Sequence, residues 1–176
     1  MKRLLIAFFA LFGSLAQLFG MPSEQTNGKL KIGDLIPAVV AEDQDGKTVD
    51  LAIAAQNGYT LVYFYPKALS SGCTAQACSL RDAYGDLQKK GVKIYGVSLD
   101  PIKKQKEFQK KEHLPFELLS DQDKHLTSVF GVPLIADSLA ARQAYLFQDG
   151  KLVWLDTKAS TDKQAQDILA VLSKNG

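Results

Sequence analysis

Two cysteines, Cys73 and Cys78, are the only sulfur nucleophiles in this chain, and they stand five positions apart in Gly72-Cys73-Thr74-Ala75-Gln76-Ala77-Cys78. An aromatic and β-branched run (59–65) precedes them and a helical pattern follows, so Cys73 falls where a strand gives way to a helix. A thiol at a helix N-terminus meets the positive end of the helix dipole and a set of free backbone N–H groups. Both favour the thiolate, the reactive form of cysteine. A second thiol further along the helix then traps what forms on the first. These residue types in this order point to a redox site.

Helix geometry sharpens that expectation. With about 100° per residue and Cys73 as zero, Ala77 lies near ~40°, Leu80 near about −20° and Tyr84 near ~20°. Cys73 therefore faces the core, while Cys78, near ~140°, faces the helix flank. Their Cα atoms sit about 8.7 Å apart on an ideal helix, whereas a disulfide needs roughly 4.4–6.8 Å. The pair bonds only after the first turn or two unwinds. A structural disulfide would melt its own helix here and would close a loop too small to gain much entropy. A catalytic pair that alternates between two states fits. Metal binding does not: His113 and His125 are distant in sequence and complete no zinc spacing with the cysteines. The spacing also differs from the Cys-x-x-Cys of a disulfide reductase.

The 176 residues suffice for one domain with its own core, so the cysteines are not needed as staples. Lys2 and Arg3 belong to a segment that resembles a secretory signal peptide: a basic start, an apolar run over 4–15, and small residues Ser14 and Ala16 at a cleavage position. The signal is expected over 1–20, with cleavage after Ala16 or Gly20, which predicts export to the periplasm. The alternative is an uncleaved N-terminal helix acting as an anchor. Without Lys2 and Arg3, 19 basic residues face 19 acidic ones. That balance excludes the basic face of a nucleic-acid binder. The run Lys103-Lys104-Gln105-Lys106, broken by Glu107, reads as a solvated helix face. If the signal is removed, no stable membrane association is expected.

Around the cysteines the elements are legible. The polar composition of residues 21–30 predicts a flexible lead into a domain over 31–176. Asp45-Gly46 between 37–42 and 48–51 marks a hairpin. The run 59–65 lacks alternation, as strands buried on both faces do, and Pro66 ends it. The spacing predicts a helix over 73–90, capped by Ser70 or Ser71. A strand over 92–98 follows, then a helix from Asp100-Pro101 to about Glu112, a strand over 117–119 and a short helix over 124–130. A second hairpin joins 143–147 to 152–155, and a helix over 161–174 closes the chain. This β-α-β-α order followed by β-β-α predicts an α/β, thioredoxin-like fold. It is a mixed central sheet flanked by helices, with an N-terminal β-hairpin extension.

The segment Phe64-Tyr65-Pro66-Lys67, followed by Gly72 to Asp82, resembles the peroxiredoxins of the Q-type, or bacterioferritin-comigratory, group. The family pattern Pro-x-x-x-Thr/Ser-x-x-Cys is met by Pro66, Ser70 and Cys73. The group's resolving cysteine five residues later is met by Cys78, and its arginine before a late strand by Arg142. Each of Pro66, Ser70 and Arg142 has an ordinary explanation alone: a strand end, a helix cap, a surface charge. Their joint spacing lifts them above it. The resemblance implies a thiol-dependent peroxidase that reduces hydrogen peroxide and organic hydroperoxides. Cys73 would become a sulfenic acid, Cys78 would convert it to an intramolecular disulfide, and a thioredoxin-like dithiol would reduce that bond. Arg142, Ser70 and the N–H groups at Gly72 and Cys73 would bind the peroxide, and Pro66 would shield the sulfur. It implies no metal, haem or nucleotide cofactor, and a monomer, since both thiols lie on one chain. Three positions depart from the group's habit: Ser70 for Thr, Ser71 for Pro and Gln76 for Glu. The competing expectation is a thioredoxin-fold protein that exchanges disulfides or binds a partner without peroxidase activity.

Overall fold

The computed structural model describes residues 28–174. The expected signal peptide and most of the polar lead lie outside them. Asp45-Gly46 turns β1 (Val40–Asp43) back onto β2 (Thr48–Asp50), with Gly46 at φ 75°, which a residue without Cβ adopts freely. Leu51 was expected to extend this hairpin. It instead opens a one-turn helix, α1 (Leu51–Ala54), because the Asp50 carboxylate accepts the Ile53 N–H and caps it.

β3 (Tyr59–Phe64) leads into α2 (Ser71–Asp82), α3 (Tyr84–Lys89) and β4 (Val92–Ser98). α4 (Ile102–Glu112), β5 (Glu117–Ser120) and α5 (His125–Val129) follow. A small hairpin not anticipated from the sequence joins β6 (Leu134–Ile135) to β7 (Leu139–Ala140). β8 (Gln143–Gln148), β9 (Lys151–Asp156) and α6 (Gln164–Lys174) complete the chain.

One mixed sheet runs in the order β2-β1-β5-β4-β3-β8-β9. β3 is parallel to β4 and antiparallel to β8, and β4 is parallel to β5. The hairpin extends the sheet by pairing β1 antiparallel to β5. β3 is buried on both faces, as its composition predicts. Leu61, Tyr63 and Tyr65 join Cys73, Ala77, Leu80 and Ile168 on the α2–α6 side. Val62 and Phe64 join Leu51, Leu126 and Phe130 on the other.

Two helices depart from their expected spans. The predicted 73–90 helix breaks at Ala83 (φ −96°, ψ 6°) into α2 and α3. Gly85, one residue into α3, has the weak helical preference that lets a turn intervene. The break leaves Leu87 buried and sets the Tyr84 ring beside Phe116. The last helix starts at Gln164, not 161, because the Ser160 hydroxyl accepts the N–H groups of Asp162 and Lys163 and holds a bend there.

Candidate active site

The register of β3 and β8 decides what meets Cys73. Phe64 lies opposite Gln143 in the antiparallel pair. The residues just after Phe64 and just before Gln143 therefore emerge at the same end of the sheet. The first group is the loop 65–70 that enters α2, and the second is Arg142.

The loop is tied down at several points. Tyr65 N–H still bonds the Val97 carbonyl (3.0 Å). Ala68 N–H donates to the Asp100 carboxylate (2.7 Å), which also receives the Ser98 hydroxyl (2.8 Å). The Tyr65 hydroxyl donates to Gln105, and Gln105 donates to Ser98 and to the Leu119 carbonyl. Leu69 occupies the left-handed region at φ 64°, a conformation costing a side-chain-bearing residue roughly 1 kcal/mol. This network was not anticipated. Its signal in the sequence is Gln105, which falls at helical spacing with Ile102 and Phe108 on the apolar side of α4.

Ser70 takes the N-cap position of α2 but makes no side-chain cap bond, contrary to expectation. Its hydroxyl donates to the Lys67 carbonyl (2.8 Å). With that proton committed, the oxygen's remaining hydrogen-bonding capacity is as an acceptor. Ser70 C=O accepts the Thr74 N–H (2.8 Å), the first helical bond. The N–H groups of Gly72 and Cys73 precede that bond, so they have no intrahelical acceptor.

Cys73 is buried, as its angle predicts, and Cys78 is half-buried on the flank. Both are free thiols on an unbroken α2. Arg142 Nη2 lies 3.3 Å from Cys73 Sγ, a contact that strengthens when the sulfur is an anion. A Cβ on Gly72 would come within 3.5 Å of the same Arg142 nitrogen. Side chains larger than a methyl there would enter the space beside the guanidinium. Pro66 is half-buried directly after Tyr65.

Arg142 is itself held. Its Nη1 donates to the Gln76 side-chain oxygen, and the Gln76 amide donates to Gln164 of α6. Gln76 and Gln164 are both buried, and Gln164 Nε2 has no partner among the described residues. The sequence marks Gln76 only as a departure from the family's usual Glu and gives Gln164 no role. Its signal is a polar residue one turn before Ile168 on the apolar stripe of α6. Cys78 Sγ lies 3.7 Å from a Glu112 carboxylate oxygen. Burial pushes the Cys78 thiol pKa up; Arg81 opposes this and Glu112 adds to it.

His113 and His125 are exposed at helix ends, far from any cluster. No group of three or more His, Cys, Asp or Glu side chains suited to a metal occurs among the described residues. No described helix is long and apolar enough to cross a membrane.

The model of the AhpC/TSA family matches residues 32–155. Peroxiredoxin Bcp of Escherichia coli K12 is 48% identical over 103 residues, which are 58% of this chain and 65% of that protein. The match thus spans under two thirds of this relative's own length. The fold superposes on peroxidoxin BcpB of Mycobacterium tuberculosis with TM-score 0.76 at 29% identity, covering 82% of this chain and 97% of that one. It also superposes on the bacterioferritin comigratory protein of Xanthomonas campestris, a structure described for its alkyl peroxide reduction activity. That match has TM-score 0.73 at 26% identity and covers 81% and 96% of the two chains.

Proposed function

This chain belongs to the AhpC/TSA family of peroxiredoxins, and from that premise we propose that it is a thiol-dependent peroxidase working through Cys73 and Cys78. The observation that carries the proposal is Arg142 Nη2 at 3.3 Å from Cys73 Sγ, at the N-terminus of α2. Disulfide exchange needs no guanidinium on its nucleophile, whereas a peroxide must be polarised and aligned.

The Cys73 thiolate attacks one peroxide oxygen in line with the O–O bond. That bond breaks, the sulfur keeps the oxygen as sulfenic acid, and water or an alcohol leaves after taking a proton. Arg142 and the N–H groups of Gly72 and Cys73 donate where negative charge grows on the oxygens. The Ser70 oxygen accepts a hydrogen bond from the peroxide O–H and orients it. Pro66 covers the sulfur from the loop side. α2 then unwinds, Cys78 attacks Cys73 and water leaves, giving an intramolecular disulfide. An external thioredoxin-like dithiol returns both thiols by exchange. Hydrogen peroxide and organic hydroperoxides are the substrates. The protein acts as a monomer, exported to the periplasm by the N-terminal segment; retention of that segment as an anchor is the alternative.

The test is a single turnover of the pre-reduced protein with one equivalent of hydrogen peroxide, counting thiols and mapping bonds by mass spectrometry. Fast loss of two thiols with a Cys73–Cys78 bond is expected. Cys73→Ser should abolish it, and Cys78→Ser should stop at sulfenic acid. Oxidation no faster than that of a free cysteine would leave only disulfide exchange or binding.

A further inference from the structure

α4 ends against its own dipole. Lys110 and Lys111 place positive charge in its last turn, where the C-terminal carbonyls favour it. Glu112 follows them with a negative charge, which the same carbonyls disfavour. Such a local conflict calls for a compensating role. No ion pair offsets it, since no Lys, Arg or His among the described residues lies within salt-bridge distance of this carboxylate. Arg81, the nearest cation on α2, is committed elsewhere. It binds the Asp82 carboxylate (2.8 and 2.9 Å) and donates to the Glu112 backbone carbonyl (2.8 Å). The side-chain donor on the Glu112 carboxylate is the Cys78 thiol at 3.7 Å.

We propose that Glu112 is a positioning residue for the resolving thiol: it docks Cys78 on the end of α4 as a neutral S–H donor and holds α2 wound, so that release of this contact limits disulfide formation once Cys73 is oxidised. The inference rests on the peroxidase function proposed above. Cys78 and Arg81 lie one turn apart on α2 and both fasten to Glu112, one through its carboxylate and one through its carbonyl. Unwinding α2 far enough to bring the two sulfurs together must release the first tether. The step that follows is Cys73–SOH plus Cys78–SH giving the disulfide and water. The S–O bond breaks as the S–S bond forms, the sulfenic sulfur is reduced and the Cys78 sulfur oxidised, and the thiol proton leaves in the water. While Glu112 holds the thiol, the sulfenic acid persists and a second peroxide competes for it. Glu112 thereby sets how much peroxide over-oxidises Cys73.

The charged and titratable groups facing Cys78 are Arg81 and Asp82 on its own helix, Glu112 on α4 and Tyr63 on β3. Burial raises the thiol pKa most. Arg81 opposes that rise, while Glu112 supports it through both its charge and its hydrogen bond. Removing the charge should therefore move Cys78 reactivity to lower pH.

The first experiment needs no peroxide. In full-length Cys73→Ser protein, the alkylation rate of Cys78 by iodoacetamide is followed against pH, with and without Glu112→Gln. The amide keeps the shape and an acceptor oxygen but loses the charge. Alkylation about two- to fivefold faster at pH 7, with the profile displaced to lower pH, is expected. Glu112→Asp, which keeps the charge, should stay nearer the parent profile. Coincident profiles for Glu112 and Glu112→Gln overturn the proposal. The second experiment restores Cys73 and titrates hydrogen peroxide, reading sulfinic acid by mass spectrometry. Glu112→Gln should need about two- to fivefold more peroxide for half over-oxidation. An unchanged or lower threshold overturns the latch while leaving the peroxidase intact. Absence of any peroxide-driven sulfenic acid would defeat the peroxidase function alone, and the alkylation profile would still judge Glu112.

Discussion

A guanidinium beside a sulfur gains most as charge moves from that sulfur to an oxygen it also touches. Replacing Arg142 by Ala removes that donor at the reacting atoms and should lower the second-order rate constant with hydrogen peroxide by about 10²-fold or more, read by stopped flow. Arg142→Lys should recover only part, since an ammonium cannot hold Gln76 and the sulfur side at once. Thiol–disulfide exchange should fall far less. Gln164 tests the next layer outward. Its amide already carries an unpartnered donor, so Gln164→Leu removes one unsatisfied group and creates another on Gln76. Stability should change by less than about 1 kcal/mol in denaturant unfolding. The peroxide step should slow about three- to tenfold because Arg142 loses its brace. Cys73, Cys78 and Ser70 were legible because fixed spacing ties them to one local motif, and Arg142, 69 positions from Cys73, only because the family resemblance marks an arginine before a late strand. Gln164 and Glu112 were not. Each reaches the site from a separate helix, 88 and 34 positions from its partner, and only the packing of α2 reveals them.

At the scale of elements, the break at Ala83 defines what must move. α2 is a twelve-residue unit that can loosen without dragging α3, whose Leu87 remains in the core. Unwinding its first turns gives up the burial of Cys73 and Gln76 and the contact of α2 with α6. A small disulfide loop can hold that state only because the remaining elements do not depend on it. Hydrogen exchange should therefore quicken over 71–82 in the Cys73–Cys78 disulfide form relative to the reduced form. α4 and β3 should exchange alike in both. Acceleration spread evenly over the domain would mean that oxidation loosens the whole fold. Apart from the unanticipated β6–β7 hairpin and a β1 that starts three residues later than expected, the strands were legible to within a residue, since β-branched and aromatic runs bounded by Pro, Gly and Asp leave little choice of limits. The division of α2 from α3 was not. Tyr84 and Leu87 continue the apolar stripe of Cys73, Ala77 and Leu80, so periodicity runs straight through a break that tertiary packing imposes.

Across the whole molecule, the active loop rests on a floor of aromatic rings whose height is set by one missing side chain. Gly96 lies in β4, paired with Tyr63 of β3 and Leu118 of β5. A Cβ there would fall 2.7 Å from Tyr63 Cζ and Oη and 2.8 Å from Leu118 Cδ2, closer than real contacts allow. The Tyr63 ring fills that space, stacks on Tyr65 at 5.6 Å and meets Phe116 edge-on. Tyr65 in turn anchors to Gln105 and opens the loop that carries Pro66 and Ser70. Gly96→Ala cannot be absorbed by a flexible tip, because Tyr63 and Leu118 are fully buried. It should destabilise the fold by about 1–3 kcal/mol as an overpacked core does. The denaturant midpoint should fall at unchanged slope, and the peroxide step should slow as the ring shift reaches the loop. Gly85→Ala is the matched control. Nothing lies within 4 Å of its added Cβ, and the site is exposed on α3. There the same methyl should stabilise by roughly 0.5–1 kcal/mol through helix propensity alone. Opposite signs for one substitution at two glycines would show that the sheet leaves this position empty so that Tyr63 can support the site. Equal signs would mean that the floor yields, and that the loop geometry is set by the Asp100 and Gln105 hydrogen bonds instead.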